Sequence, residues 1–224
     1  DSGKYQHIWD YEQYMRLAKP AIAALHALGA TASLAEPCVI ISHEYMGMPT
    51  ALAAIMEGEG ANFRTIFHAH EVATMRRIVE GHPGHDTMFY NVMSHAIAAG
   101  HFVEDAFGDQ SDYYKHALVK QTRYCDEIFC VGDYVLKEMR FMGRDFLTVD
   151  ARVAYNGVPH CRLTVEVKRA SRNKLRKYCK NLRKFEPDYV FTHVTRLVPS
   201  KGLWRDLRVL EHLEADLKRV VFGQ

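Results

Sequence analysis

CVIISHEYMGMPTALAA, residues 38–54, carries the reading on which the fold turns. Cys38-Val39-Ile40-Ile41-Ser42 is a compact apolar run suited to a buried strand. His43-Glu44 follows as a polar exit, and residues 50–57 read as a helix ending near Gly58 and Gly60. The same alternation repeats downstream. Arg64 to His68 predicts a second strand, running into Ala69-His70-Glu71, and Glu127 to Val131 predicts a third. Ala151 to Tyr155 predicts a fourth, ending in an expected Asn156-Gly157 turn. Tyr189–Val194 and Arg219–Phe222 read as two more strands, separated by a helix over 203–213. Strands alternating with helices in this way imply right-handed crossovers and parallel sheets, an α/β fold.

Between the strands the helical patterns are clear. Residues 10–28 predict a helix with Leu17, Ala21, Ala24, Leu25 and Leu28 on its inner face, bent or divided at Pro20. Helical portions are expected around 88–99 and near 112–123, and Asp133 is placed to cap a helix carrying Val135, Leu136 and Met139 inward. From Glu166 to Glu186 nine Lys or Arg residues surround the apolar spacing Leu175, Tyr178, Cys179, Leu182 and Phe185. That reads as an amphipathic helix with a solvated cationic face, binding of an anionic polymer through that face being the other reading.

Composition narrows the function classes. The 224 residues are 48% hydrophobic and 25% charged, with a net charge of +2, which is ordinary for a globular chain. The small charge and the lack of a base-reading motif give no case for nucleic acid. No apolar run approaches the length of a membrane helix, so no transmembrane segment is expected. The five cysteines, Cys38, Cys125, Cys130, Cys161 and Cys179, are odd in number, scattered and without a C-x-x-C pair. They point away from a disulfide framework or zinc knuckle and toward a reducing, cytoplasmic compartment.

In parallel α/β sheets ligands bind beyond the carboxyl ends of the strands. Those exits here are His43-Glu44, His70-Glu71, Gly132-Asp133, Asn156-Gly157, and Arg196 with Lys201-Gly202. The last joins a predicted strand to a predicted helix. Arg196 offers a planar charged fork, Lys201 lies beside a helix N-terminus, and Gly202 lets backbone approach a ligand. Together they suit a pyrophosphate.

With these residues in view, the chain resembles the retaining glycosyltransferases of the GT-B fold, the group of glycogen and starch synthases and their mannosyl- and glucosyltransferase relatives. RLVPSKG (196–202), within Asp188 to Leu210, resembles the start of that family's second Rossmann domain. CVIISHEYMGMPTALAA, TIFHAHEVA (65–73), YCDEIFCVGDYVLKEM (124–139) and VAYNGV (153–158) resemble segments of its first domain, in order. The resemblance implies a Rossmann-like acceptor-side domain over 1–163, a bridging basic helix over 164–187, and the beginning of a donor domain over 188–224. It also implies that the family's first strand lies upstream of residue 1 and its acidic motif beyond Gln224, so the chain would be the middle of such an enzyme.

The implied activity is hexosyl transfer from a UDP-, ADP- or GDP-sugar to a carbohydrate or other hydroxyl acceptor, with retention and without a cofactor or metal. His70 is the implied site histidine, and Arg196, Lys201 and Gly202 the implied donor-phosphate residues. His43, Glu44, Glu71, Asn156 and Gly157 are expected on the acceptor side or behind the site. Tyr113, Tyr114, Phe141 and Phe146 read as core rather than as sugar platforms. The stretch from His82 to Gly108 is expected to be an acceptor-side insertion or a surface excursion. Two other readings stay open. His68, His70 and Glu71 with His82, His85 and Asp86 would suit a metal-dependent hydrolase. A non-catalytic remnant that binds nucleotide or an acidic partner is the other.

Overall fold

The four apolar runs before residue 157 all become strands in the computed structural model: β1 (Cys38–His43), β2 (Phe63–Ala69), β3 (Glu127–Cys130) and β4 (Ala151–Val153). The structure describes residues 2–31, 35–58, 62–81, 85–198 and 201–222. The chain divides into two units, Asp1–Asn156 and Gly157–Gln224. In the first unit the strands form one parallel sheet in the order β1-β2-β3-β4, a Rossmann-like α/β arrangement. Its helices are α1 (Trp9–Ala27), α2 (Glu44–Glu57), α3 (Ala73–Gly81), α4 (His85–Ala98), α5 (Val103–Phe107), α6 (Tyr114–Lys120) and α7 (Asp133–Phe141). No helix among the described residues is long and apolar enough to cross a membrane.

Strand order has a direct consequence for packing. Each crossover advances to the next strand in the same direction, so right-handed connections put their helices on one face. Burial follows this rule. Phe63, Thr65, Phe67 and Ala69 of β2 are buried under the helices, as are Ile128 and Cys130 of β3. The other face presents Val39 and Ile41, each 50% exposed, with Arg64, Ile66, His68 and Phe129 beside them. β1 is therefore buried on one side only, unlike the usual parallel strand. The order never reverses, so these four strands hold no switch-point crevice, and ligand-bearing groups fall to the carboxyl edge.

β1 and α2 approach closely. A Cβ at Gly47 would lie 2.6 Å from Ser42 Oγ and 2.9 Å from Ser42 Cα, so nothing larger than glycine fits without displacing backbone. Against α2 lies α1, whose inner stripe is Tyr11, Met15, Ala18, Ile22 and Leu25. The expected stripe was out of phase, for Leu17 and Leu28 are 60% and 82% exposed. Alanines on several faces make the helical phase ambiguous until a neighbour selects one side. Pro20 does not divide the helix, which runs unbroken through it.

The described part of the stretch from His82 to Gly108 packs on the core through a few buried side chains and is otherwise largely exposed. Phe89 and Met93 of α4 and Val103 of α5 are buried in the main cluster. Tyr114, Phe141 and Phe146 join them, as expected of core aromatics, with Tyr113 packed at the margin. Asp133 does not cap α7, whose N-cap is Gly132; its carboxylate instead accepts from the Tyr155 hydroxyl at 2.7 Å. Asn156 and Gly157 continue as exposed irregular chain, and Gly157 has no positive φ, so the expected tight turn is absent.

The second unit contains α8 (Val165–Arg183) and α9 (Leu203–Phe222). Thr164 caps α8 by accepting from Val167 N at 3.3 Å, and no residue of α8 is buried. Its cationic face is partly engaged: Arg172 donates to Asp188 O at 2.7 Å and Arg176 to Pro187 O at 2.6 Å. Two expected strands do not form. Tyr189–Val194 is irregular, and Arg219–Phe222 continues α9. A strand needs a neighbour to satisfy its backbone, and the second unit supplies none among its described residues. Phe191 and Val194 accordingly stay 83% and 96% exposed.

Candidate functional site

The register of β1 on β2 assembles the site. His43 lies directly beside His68, and His70 follows two residues on, so all three rings stand at the carboxyl edge of the open sheet face. Their ring centroids are 5.1 Å (His43–His68), 4.5 Å (His68–His70) and 5.3 Å (His43–His70) apart. His43 Nδ1 and His70 Nε2 are 3.0 Å apart. His43 and His70 are exposed, while His68 is half-buried with its Nε2 lacking any hydrogen-bond partner among the described residues. Burial, then the charges of His70 and His43, hold the His68 imidazolium below its ordinary range.

Glu44 fixes the loop that presents His70. Its Oε1 accepts the backbone N–H of His70 at 2.5 Å and of Glu71 at 2.9 Å, and its Oε2 is buried without a partner among the described residues. Glu44 itself has φ 57°, a left-handed conformation uncommon for a residue with a side chain. Strain of this kind at the end of a strand is a recurrent mark of functional loops. Beyond it, Glu71 lies 3.7 Å from Arg76, which reaches the fully buried Glu138 at 3.7 Å.

Burial pushes the Glu44 carboxyl up to about 7, against the two N–H donors that pull it down. A carboxyl raised in the folded state stabilises folding fully below its unfolded value and loses that contribution as pH climbs through the folded one. Here the window runs from 4.5 to about 7. Glu44→Gln keeps the acceptor and removes the titration. Its stability relative to wild type is expected to rise by on the order of 1–2 kcal/mol from about pH 5 to about pH 8, allowing for the partial exposure of the carboxyl. Urea midpoints at the two pH values measure this; an unchanged difference would show that Glu44 does not titrate in that window.

The sequence-derived residues thus divide. His43, Glu44, His68, His70 and Glu71 come together. Of the residues named for the alternative metal-hydrolase reading, His82 and the side chains of His85 and Asp86 lie outside what the structure describes, while His68 and His70 stand together with His43. Asn156 is exposed after β4. In the second unit Arg196 and Lys201 are exposed, and Gly202 has φ +69° just before α9. Pro199 and Ser200 lie outside the described residues. Sequence reading missed the Arg76–Glu138–Tyr90 group behind Glu71; an acid at 138 within an apolar helical stretch was its one trace.

No protein-family model, curated protein or solved structure matches the chain.

Proposed function

We propose that the chain serves glycosyl transfer from a nucleotide sugar to a hydroxyl acceptor with retention of configuration. The observation that carries this reading is the Glu44-anchored loop, which presents His70 beside His43 at the carboxyl edge of two adjacent parallel strands. That edge is where parallel α/β sheets gather ligand groups, and His70 there is the histidine that the GT-B resemblance implies beside the transferred sugar. In this reading the acceptor hydroxyl attacks on the face from which the nucleotide diphosphate leaves, and transfer requires no metal. Glu44 positions the loop, and Glu71 stands behind it.

The departing diphosphate needs fixed positive groups. Arg196 and Lys201 are exposed cations, and Lys201-Gly202 leads into a 20-residue helix whose N-terminal N–H groups favour an anion. We assign these residues to the donor phosphates. Calorimetric titration of the chain with UDP, ADP and GDP tests the assignment. One nucleotide is expected to bind, and Lys201→Ala to weaken it about tenfold, the loss of one charge-assisted contact of about 1.5 kcal/mol. Lys201→Arg is expected to restore only part of the affinity, because a flat fork replaces a compact ammonium. Binding of none of the three, or full affinity in Lys201→Ala, would overturn it.

A further inference from the structure

His68 lies near the end of β2 and His70 one residue beyond it, two positions on, with ring centroids 4.5 Å apart. The β1–β2 register adds His43 directly beside His68. One nitrogen from each ring lies within 4.8 Å of the others, and His43 Nδ1 and His70 Nε2 are hydrogen-bonded at 3.0 Å. Around a tetrahedral Zn2+ with Zn–N bonds of about 2.0–2.1 Å, neighbouring nitrogens stand roughly 3.3 Å apart. Small rotations of exposed rings close that difference. No carboxylate of a described residue hydrogen-bonds any of the three rings, and His68 Nε2 is buried without a partner. His43 Nδ1 and His70 Nε2 satisfy each other, and His68 Nε2 beside them is the one buried nitrogen of the cluster without a partner among the described residues, an orphan that an ion held by all three rings would satisfy.

We propose that His43, His68 and His70 form a binding site for one divalent transition-metal ion of the Zn2+ class. Three imidazoles favour Zn2+, Cu2+, Ni2+ or Co2+ over Mg2+ or Ca2+, which prefer oxygen. Three protein ligands leave a fourth position open, and the exposure of His43 and His70 puts that position within reach of water or a ligand oxygen. Glu44 acts on the site through backbone: by holding the N–H groups of His70 and Glu71 it fixes the orientation of the third ligand. The site goes beyond the transfer reading, which needs no ion. An ion here would occupy His70 and compete with a sugar.

The test uses the full chain without an affinity tag, stripped with a chelator and titrated with Zn2+ against a chromogenic competitor. Co2+ serves as a second, spectroscopic probe. One equivalent is expected to bind, and Co2+ to give the intense visible bands of a tetrahedral site. His43→Ala, His68→Ala and His70→Ala are each expected to lower Zn2+ affinity at least about 100-fold, since even the hydrogen-bond partner of a metal-bound histidine is worth 10- to 100-fold. His95→Ala, at an exposed position on α4, should bind as wild type does. Circular dichroism of the metal-free variants checks folding, and the exposed positions are repeated as His43→Gln and His70→Gln. No Zn2+ binding by wild type, or binding that survives all three replacements, would overturn the proposal. Donor turnover by the metal-free protein is scored separately, so failure of one reading leaves the other standing.

Discussion

Replacing Glu138 with Ala is expected to lower the free energy of unfolding by about 3 kcal/mol. Glu138 is fully buried on α7, accepts the Tyr90 hydroxyl at 2.6 Å and lies 3.7 Å from Arg76. Burial raises its carboxyl above the ordinary range and, with Glu138 as hydrogen-bond partner, lifts the Tyr90 hydroxyl to about 12. Without the carboxylate, Tyr90 loses its acceptor and Arg76 keeps a charge with one remaining carboxylate, Glu71 at 3.7 Å. Removing one partner of a buried pair costs about 3–5 kcal/mol, and the low end applies because the Arg76 side chain stays 28% exposed. The double variant Arg76→Met, Glu138→Leu should recover most of the loss, since it leaves no buried charge. Urea unfolding of the two variants measures both terms. A loss under about 1 kcal/mol in Glu138→Ala would show that the buried Arg76–Glu138–Tyr90 group is not a major contributor to stability.

The second large effect is kinetic. In the transfer reading, His70→Ala is expected to cut donor turnover by about 100- to 1000-fold, the usual cost of deleting one preorganised polar group at the reacting centre. Nucleotide affinity should be nearly unchanged, because the same reading assigns the donor phosphates to Arg196 and Lys201 and not to His70. Calorimetry with the nucleotide identified for the wild type separates the two quantities. Turnover equal to wild type would remove His70 from the mechanism. A matching loss of nucleotide affinity would instead make it a binding residue.

The sheet could be read from the chain because β1, β2 and β3 are short runs rich in Val, Ile, Phe and Cys, with β4 a shorter Ala-Arg-Val run. Cys38–His43 and Phe63–Ala69 lie within a residue or two of the expected runs. Tyr189–Val194 has the same local chemistry and makes no strand, because strand preference expresses a partner as much as a side chain. Val220 and Val221 read as extended, yet their backbone continues α9. At the site, His68 and His70 share a face by simple alternation. That His43 completes the cluster depends on register, and register is a property of two strands that no single run encodes. Glu44 was visible as a strand exit, but its role as acceptor for two N–H groups across 26 and 27 residues was not. The Arg76–Glu138 pair is still more remote, joined only once α3 and α7 are in place.

We propose that the carboxyl-edge loop around His70 serves retaining transfer. The most direct test is the anomeric configuration of the first product, followed by proton NMR while the chain turns over a nucleotide sugar of defined α or β configuration. Retaining transfer would release the nucleoside diphosphate and give a product whose new glycosidic bond has the donor's configuration from its first appearance. An inverted product, or no diphosphate release from any UDP-, ADP- or GDP-hexose, would contradict it.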